Sequence, residues 1–257
     1  MKRFLVLSCS VAISALFFHA CSFSDDSMID APLTRADAVS EKIVFQDDFN
    51  QADSIPDRNK WSLCKKGSPA WSKYLSESYD QAYVHDGKLV LVAEKVNGVY
   101  KTGGVQSLGK AEFQYGKIEI CARFTKTAKG GWPAIWMMPA KPVYSGWPAC
   151  GEIDIMEQLN HDGIVYQTIH SHYKNDLGFT KPVPTKTVSY NKGQFNIFGI
   201  EWTPEALTFK VNGATTLVYP NLHLADESVK KQWPFDTSFY LILNYALGGP
   251  GTWPGTI

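Results

Sequence analysis

From Ile43 onward the apolar residues of this chain recur in short alternating runs broken by turn residues, and no helical period is sustained over three turns outside the first twenty residues. Residues 88–94, carrying Leu89, Val90, Leu91 and Val92, follow the tight-turn pair Asp86-Gly87 and read as a strand. Residues 114–124 alternate over a longer stretch, with Tyr115, Lys117, Glu119, Cys121 and Arg123 on one face. Residues 195–202, 207–211 and 215–219 form a meander turned at Thr203-Pro204-Glu205 and at Asn212-Gly213, and 239–246 make a further strand. So many short strands predict an all-β fold, and they are too numerous for one small sheet. Two large antiparallel sheets packed face to face are the economical solution. Residues 126–131, 139–148 and 172–189 lack periodicity and are rich in Gly, Pro, Lys and Tyr, as loops bordering a cleft should be.

The first twenty residues stand apart. Lys2 and Arg3 precede an almost wholly apolar run from Phe4 to Phe18, closed by Ala20-Cys21. That run is too short for a spanning helix and reads as a secretory signal over 1–20, a retained anchor helix being the alternative. Phe18-His19-Ala20-Cys21 resembles a loose bacterial lipoprotein box, which implies lipidation at Cys21 and a linker over 21–40. The expectation is an exported protein: an outer-membrane or surface lipoprotein of a Gram-negative bacterium, or a periplasmic or secreted one, touching the membrane through its lipid only. The domain proper then covers 41–257. The whole chain has 25 basic and 25 acidic residues, and loss of Lys2 and Arg3 leaves about −2, which gives no support to nucleic-acid binding. Three cysteines remain beyond Cys21, namely Cys64, Cys121 and Cys150; they allow one disulfide at most and have no metal-ligand spacing.

The candidate chemistry lies in Gly151-Glu152-Ile153-Asp154-Ile155-Met156-Glu157. Ile153 and Ile155 alternate with Glu152 and Asp154, but strict alternation would turn Glu157 toward the apolar face. A β-bulge at Ile155-Met156 would return it to the side of the other two acids. Carboxyls held together on one face suit glycoside hydrolysis, in which one attacks the anomeric carbon and the other protonates the leaving oxygen. Two other readings remain open from periodicity alone: a solvent-facing edge strand with ordinary acids, and a metal site joining these acids to His170 and His172. Trp132, Trp136 and Trp147 precede the acids among glycines and prolines. They suit either a sandwich core or the stacking of sugar faces. His170 is either a structural histidine or a polar neighbour of the acids.

The acidic heptad resembles the bulged, laminarinase-like signature of glycoside hydrolase family 16. The resemblance extends through Asp48-Phe49-Asn50, Trp61, residues 115–119, residues 131–138, Glu201-Trp202, Trp233-Pro234-Phe235 and residues 243–249. It implies a concanavalin A-like β-jelly-roll with a concave substrate cleft. It further implies Glu152 as nucleophile, Glu157 as general acid/base, Asp154 as the assisting acid and His170 beside them. Trp132, Trp136, Trp147 and Glu119 match cleft positions, and Glu77 is what persists of an Asn-x-Glu-x-Gln stretch that here reads residues 74–79. No catalytic cofactor is implied; a structural calcium is, with no ligands assignable. Relatives of this kind carry a closing C-terminal strand that is not found here. The resemblance favours an endo-acting enzyme on β-1,3- or mixed-linkage glucan, with an endo-β-galactosidase on mucin-type O-glycans or algal galactans as alternative. A carbohydrate-binding surface protein without catalysis is the reading from another class. The sequence assigns no oligomeric state.

Overall fold

The computed structural model describes residues 4–15, 42–225 and 232–257. Among these residues sixteen strands build two antiparallel sheets. The first eight are β1 (Phe4–Ala15), β2 (Lys42–Asp47), β3 (Ser62–Leu63), β4 (Ala82–Val84), β5 (Leu89–Val96), β6 (Val99–Thr102), β7 (Gly104–Gln106) and β8 (Gly116–Phe124). The others are β9 (Gly131–Pro139), β10 (Glu152–Gln158), β11 (Ile164–His170), β12 (Thr185–Ser189), β13 (Asn196–Trp202), β14 (Ala206–Val211), β15 (Ala214–Pro220) and β16 (Phe239–Leu247). A single helical turn, α1 (His172–Asn175), follows β11.

The nine-stranded sheet runs β15-β14-β13-β8-β1-β5-β4, with β2 on β1 and β6 on β5; the seven-stranded sheet runs β12-β11-β10-β9-β16-β7-β3. The alternation read from the sequence is what each sheet needs in order to bury one face. Along β8, Ile118, Ile120, Ala122 and Phe124 are buried while Lys117, Glu119, Cys121 and Arg123 are half-buried on the other face. From the facing sheet come Ile135, Met137, Ile153, Ile155, Leu241 and Leu243, and together these residues form one continuous core. Truncating any of these fully buried aliphatics to Ala is worth about 2–5 kcal/mol. Near the start of the domain Asp47, though buried, is satisfied: its carboxylate accepts the Phe49 N–H at 2.9 Å and the Trp61 indole N–H at 2.8 Å.

The all-β sandwich is therefore as expected. The stretch read as the apolar part of a secretory signal is paired differently. Phe4–Ala15 lies as β1 between β5 and β8, with Val6 opposite both Leu91 and Phe124. The backbone of an apolar run satisfies its polar groups wherever two strand edges stand open to it, and β5 and β8 offer such edges. Cys21 and the 21–40 linker lie outside the described residues. Cys64 and Cys150 are buried free thiols. Among the described residues no helix is long and apolar enough to cross a membrane.

Candidate active site

The acidic strand β10 lies between β9 and β11 in the seven-stranded sheet, and its register slips where the extra residue was expected. Against β11, Glu152, Ile153 and Asp154 face His170, Ile169 and Thr168, after which Glu157 faces Tyr166, with the shift between Asp154 and Glu157. Against β9 the slip falls between Asp154 and Met156. Ile155 and Met156 both turn into the core, which spends the surplus residue inward and returns Glu157 to the side of Glu152 and Asp154. Just before this strand Gly151 adopts φ +83°, where a Cβ would meet Pro234 at 2.8 Å and Phe235 at 3.1 Å. Glycine there lets the loop enter the strand against the aromatic core.

Each glutamate is held by an indole. Trp147 Nε1 donates to Glu152 Oε2 at 2.6 Å, and Trp132 Nε1 donates to Glu157 Oε1 at 2.7 Å. Asp154 is buried between them, and its Oδ2 has no donor of full hydrogen-bond geometry; His170 Nε2 stands 3.3 Å away. One ligand-type atom each of Glu152, Asp154 and His170 lies within 4.8 Å of the others. Burial is the first reason that all three acids are harder to ionise than usual. It pushes Glu152 up to about 8, helped by the Asp154 carboxylate beside it and opposed by the Trp147 hydrogen bond. Burial likewise raises Asp154 and, more strongly, Glu157, where Asp154 adds repulsion and the Trp132 indole works against it. Such a cluster stays partly protonated near neutral pH, so it can supply an acid and a carboxylate at once.

Glu152 and Glu157 form part of the floor of a cleft of ≈ 790 Å³. Trp132, Trp136 and Trp147 all line it, as do His170, Thr168 and Thr185. Several cleft residues carried no signal strong enough to be picked from the sequence: Pro69, Trp71, Met138, Lys174, Tyr240 and Trp253. Tyr240 was accessible in principle, since it alternates along β16 with the core-facing Leu241 and Leu243. Two aromatic clusters mark the walls. Trp71 meets Trp136 edge-on at 4.9 Å, and Trp253 meets Tyr166 at 4.9 Å and Trp132 at 5.9 Å. Trp136 is fixed by its indole N–H donating to Asn244 Oδ1 at 2.7 Å.

Two residues expected at the cleft are elsewhere. Glu119 lies on β8 of the opposite sheet, with its carboxylate 3.1 Å from Lys117 Nζ, so it faces away from both the core and the acids. Alternation correctly put it outside the core, but on the other side of the sandwich. Glu77 accepts the Lys66 N–H at 2.9 Å and the Lys65 ammonium at 3.1 Å, and does not line the cleft. His172, once paired with His170 as a metal reading, instead holds Asp176 at 2.6 Å. Two groups could gather a cation among the described residues: the exposed Asp53, His85 and Asp86, and the buried Glu152, Asp154 and His170. Neither fits calcium, which takes six to eight oxygens; each group contains an imidazole, and Asp53 already accepts His85 Nδ1 and the Asp86 N–H.

Residues 71–254 match the glycosyl hydrolases family 16. The chain belongs to that family. It is 38% identical to a keratan-sulfate endo-1,4-beta-galactosidase of Sphingobacterium multivorum over 84% of this chain, though the match spans only 51% of that relative. A beta-glucanase of Rhodothermus marinus is 33% identical over 83% of this chain and 77% of its own length. Among solved structures, one from work on endo-acting O-glycanases with which human gut microbiota initiate mucin breakdown aligns at a TM-score of 0.74 with 38% identity. It covers 84% of this chain and 92% of its own. The laminarinase of Rhodothermus marinus aligns at 0.69 with 31% identity, covering 81% and 86%. This family 16 member is thus a glycoside hydrolase acting on a β-linked polysaccharide or glycan.

Proposed function

We propose that the chain is a retaining endo-β-galactosidase that cleaves internal β-galactosyl bonds of mucin-type O-glycans or related galactose-containing chains. The observation that carries the reaction type is the bulged β10, which sets Glu152 and Glu157 on one face, each under its own indole. Glu152 attacks the anomeric carbon while Glu157 gives its proton to the departing oxygen, leaving a glycosyl ester on Glu152. Glu157, now ionised, takes a proton from water as that water attacks the anomeric carbon, and the bond to Glu152 breaks with the β-configuration restored. Asp154 shares a proton with Glu152 and eases its departure, and His170 orients Asp154.

The substrate class rests on two supports. The galactosidase and O-glycanase relatives share 38% identity with the chain, against 33% for the beta-glucanase. The Glu77 stretch, where the chain departs from the laminarinase pattern, is folded back onto Lys65 and Lys66 rather than into the cleft. Both favour the galactosidase alternative over the β-glucan reading that the heptad alone suggested. The basic start and apolar run ending at Ala20-Cys21 support export with acylation of Cys21. The intact mass of the cell-derived protein tests this, and an unmodified chain beginning at Met1 would refute it.

The enzymatic test is product analysis on mucin O-glycans, keratan-type chains, agarose, laminarin and lichenan. Release of oligosaccharides from the galactose-containing substrates is expected; cleavage of laminarin and lichenan alone would reject the substrate class. NMR of the earliest products should show the β-anomer first, and an initial α-anomer would reject retention.

A further inference from the structure

The geometry points to Lys174 as a positioning residue: with Asn175 it locks His170 as the neutral tautomer protonated on Nε2, so that His170 presents a donor to Asp154 while Lys174 supplies the positive charge. The structure brings both residues to His170 through one local device. Ser171 caps the single turn α1, its Oγ accepting the Lys174 N–H at 3.3 Å, and this folds the chain back onto the end of β11. Lys174 Nζ then lies 3.3 Å from His170 Nδ1, and Asn175 Nδ2 lies 3.0 Å from the same atom. The orientation of the Asn175 amide is set independently, because its Oδ1 accepts the Ser171 N–H at 3.3 Å. An ammonium and an amide NH₂ can only donate. Two donors converging on Nδ1 make it an acceptor, and the ring proton must sit on Nε2, the atom 3.3 Å from Asp154 Oδ2.

The charges around the ring agree with this. Glu152 and Asp154 face it from β10 and Lys174 from α1, while Glu157, Tyr240 and the Cys150 thiol lie around those groups rather than against the ring. An imidazolium would be welcome to those acids but would place an N–H against an ammonium. Burial and Lys174 both hold the His170 pKa down, while Asp154, Glu152 and Glu157 hold the Lys174 ammonium against its own burial. The fixed cation therefore sits one ring away from the acids, and the histidine passes on direction rather than charge.

The test has two arms. In the unmodified protein labelled with ¹⁵N-histidine, long-range ¹H–¹⁵N spectra should show the His170 signal (assigned by its loss in His170→Gln) with Nε2 protonated and Nδ1 bare near neutral pH. A proton on Nδ1, or titration near the ordinary value of about 6.5, would overturn the proposal. In Lys174→Met the acidic limb of kcat/KM should move up by about one pH unit, since the cation whose charge favours the ionised forms of Asp154, Glu157 and Glu152 is lost. Lys174→Arg should leave that limb in place. An unmoved limb in Lys174→Met would also overturn the proposal. This second arm rests on the glycosidase reading, whereas the spectra do not, so the two can fail separately.

Discussion

Replacing Trp147 with Phe isolates the hydrogen bond that helps Glu152 ionise. Trp147 is 57% exposed, so the change leaves the core alone, and it removes a 2.6 Å donor from a buried carboxylate. A hydrogen bond to a charged acceptor is worth about 1.5–3 kcal/mol, and 1.36 kcal/mol is one pKa unit. Water can take the place of so exposed an indole, which selects the low end: Glu152, already pushed up to about 8, should rise by roughly one further unit. At pH 7 its ionised fraction then falls from about a tenth to about a hundredth, and kcat/KM falls about tenfold. At pH 9 the same shift leaves only about a twofold deficit. Any stacking that the ring gives the sugar is lost equally at every pH. The assay is therefore the ratio of kcat/KM for the variant and the unmodified enzyme across pH 7–9. A ratio that stays constant would refute the idea that Trp147 tunes the nucleophile.

Glu157→Gln should lower turnover of natural glycans by about 10²–10⁴-fold. It should lower much less the first step on an aryl β-glycoside whose leaving group needs no proton, and equal losses on both would remove Glu157 from the acid role. Because burial raises Glu152 above its ordinary 4.5 to about 8, the native state holds protons that the unfolded chain releases. Stability should accordingly fall as pH rises from 4.5 to 8, and Asp154→Asn should flatten that fall and add about 0.5–2 kcal/mol near pH 8 in calorimetry. A melting temperature indifferent to pH over that range would contradict the argument. Gly103→Ala places a Cβ 1.7 Å from the Gln81 carbonyl oxygen and should cost about 4 kcal/mol or more in urea denaturation, or yield no soluble protein.

The strands were legible because each buries one face, and a period of two is hard to disguise. Residues 114–124 and 239–246, for instance, match β8 and β16 within two residues. The bulge was legible too, since an offset of five between two acids that must share a face leaves one residue over. Alternation, however, says which way a side chain turns and not what it turns toward. That is why Glu119, outward on β8, was assigned to a cleft on the other side of the sandwich. The cleft walls were harder still. Trp71, Lys174 and Trp253 reach the acids from loops and a helical turn, through contacts between residues distant in sequence, and no local period marks them. Residues 4–15 show the converse: an apolar, strand-compatible run has the same pattern whether it is bound for a sheet or for an export machine.

One consequence concerns the length of the acidic strand. Removing Met156 alone would leave Glu-Ile-Asp-Ile-Glu, a plain alternating strand in which both glutamates still face outward. They would also remain the same number of ladder rungs apart, because in the bulge two residues already stand opposite one. A loss of three bases there changes how the strand bends and twists, and hence the outline of the groove, while the attacking and donating groups keep their separation. The catalytic geometry and the cleft shape are therefore separable at this position: the strand could trade one glycan outline for another without passing through an inert intermediate.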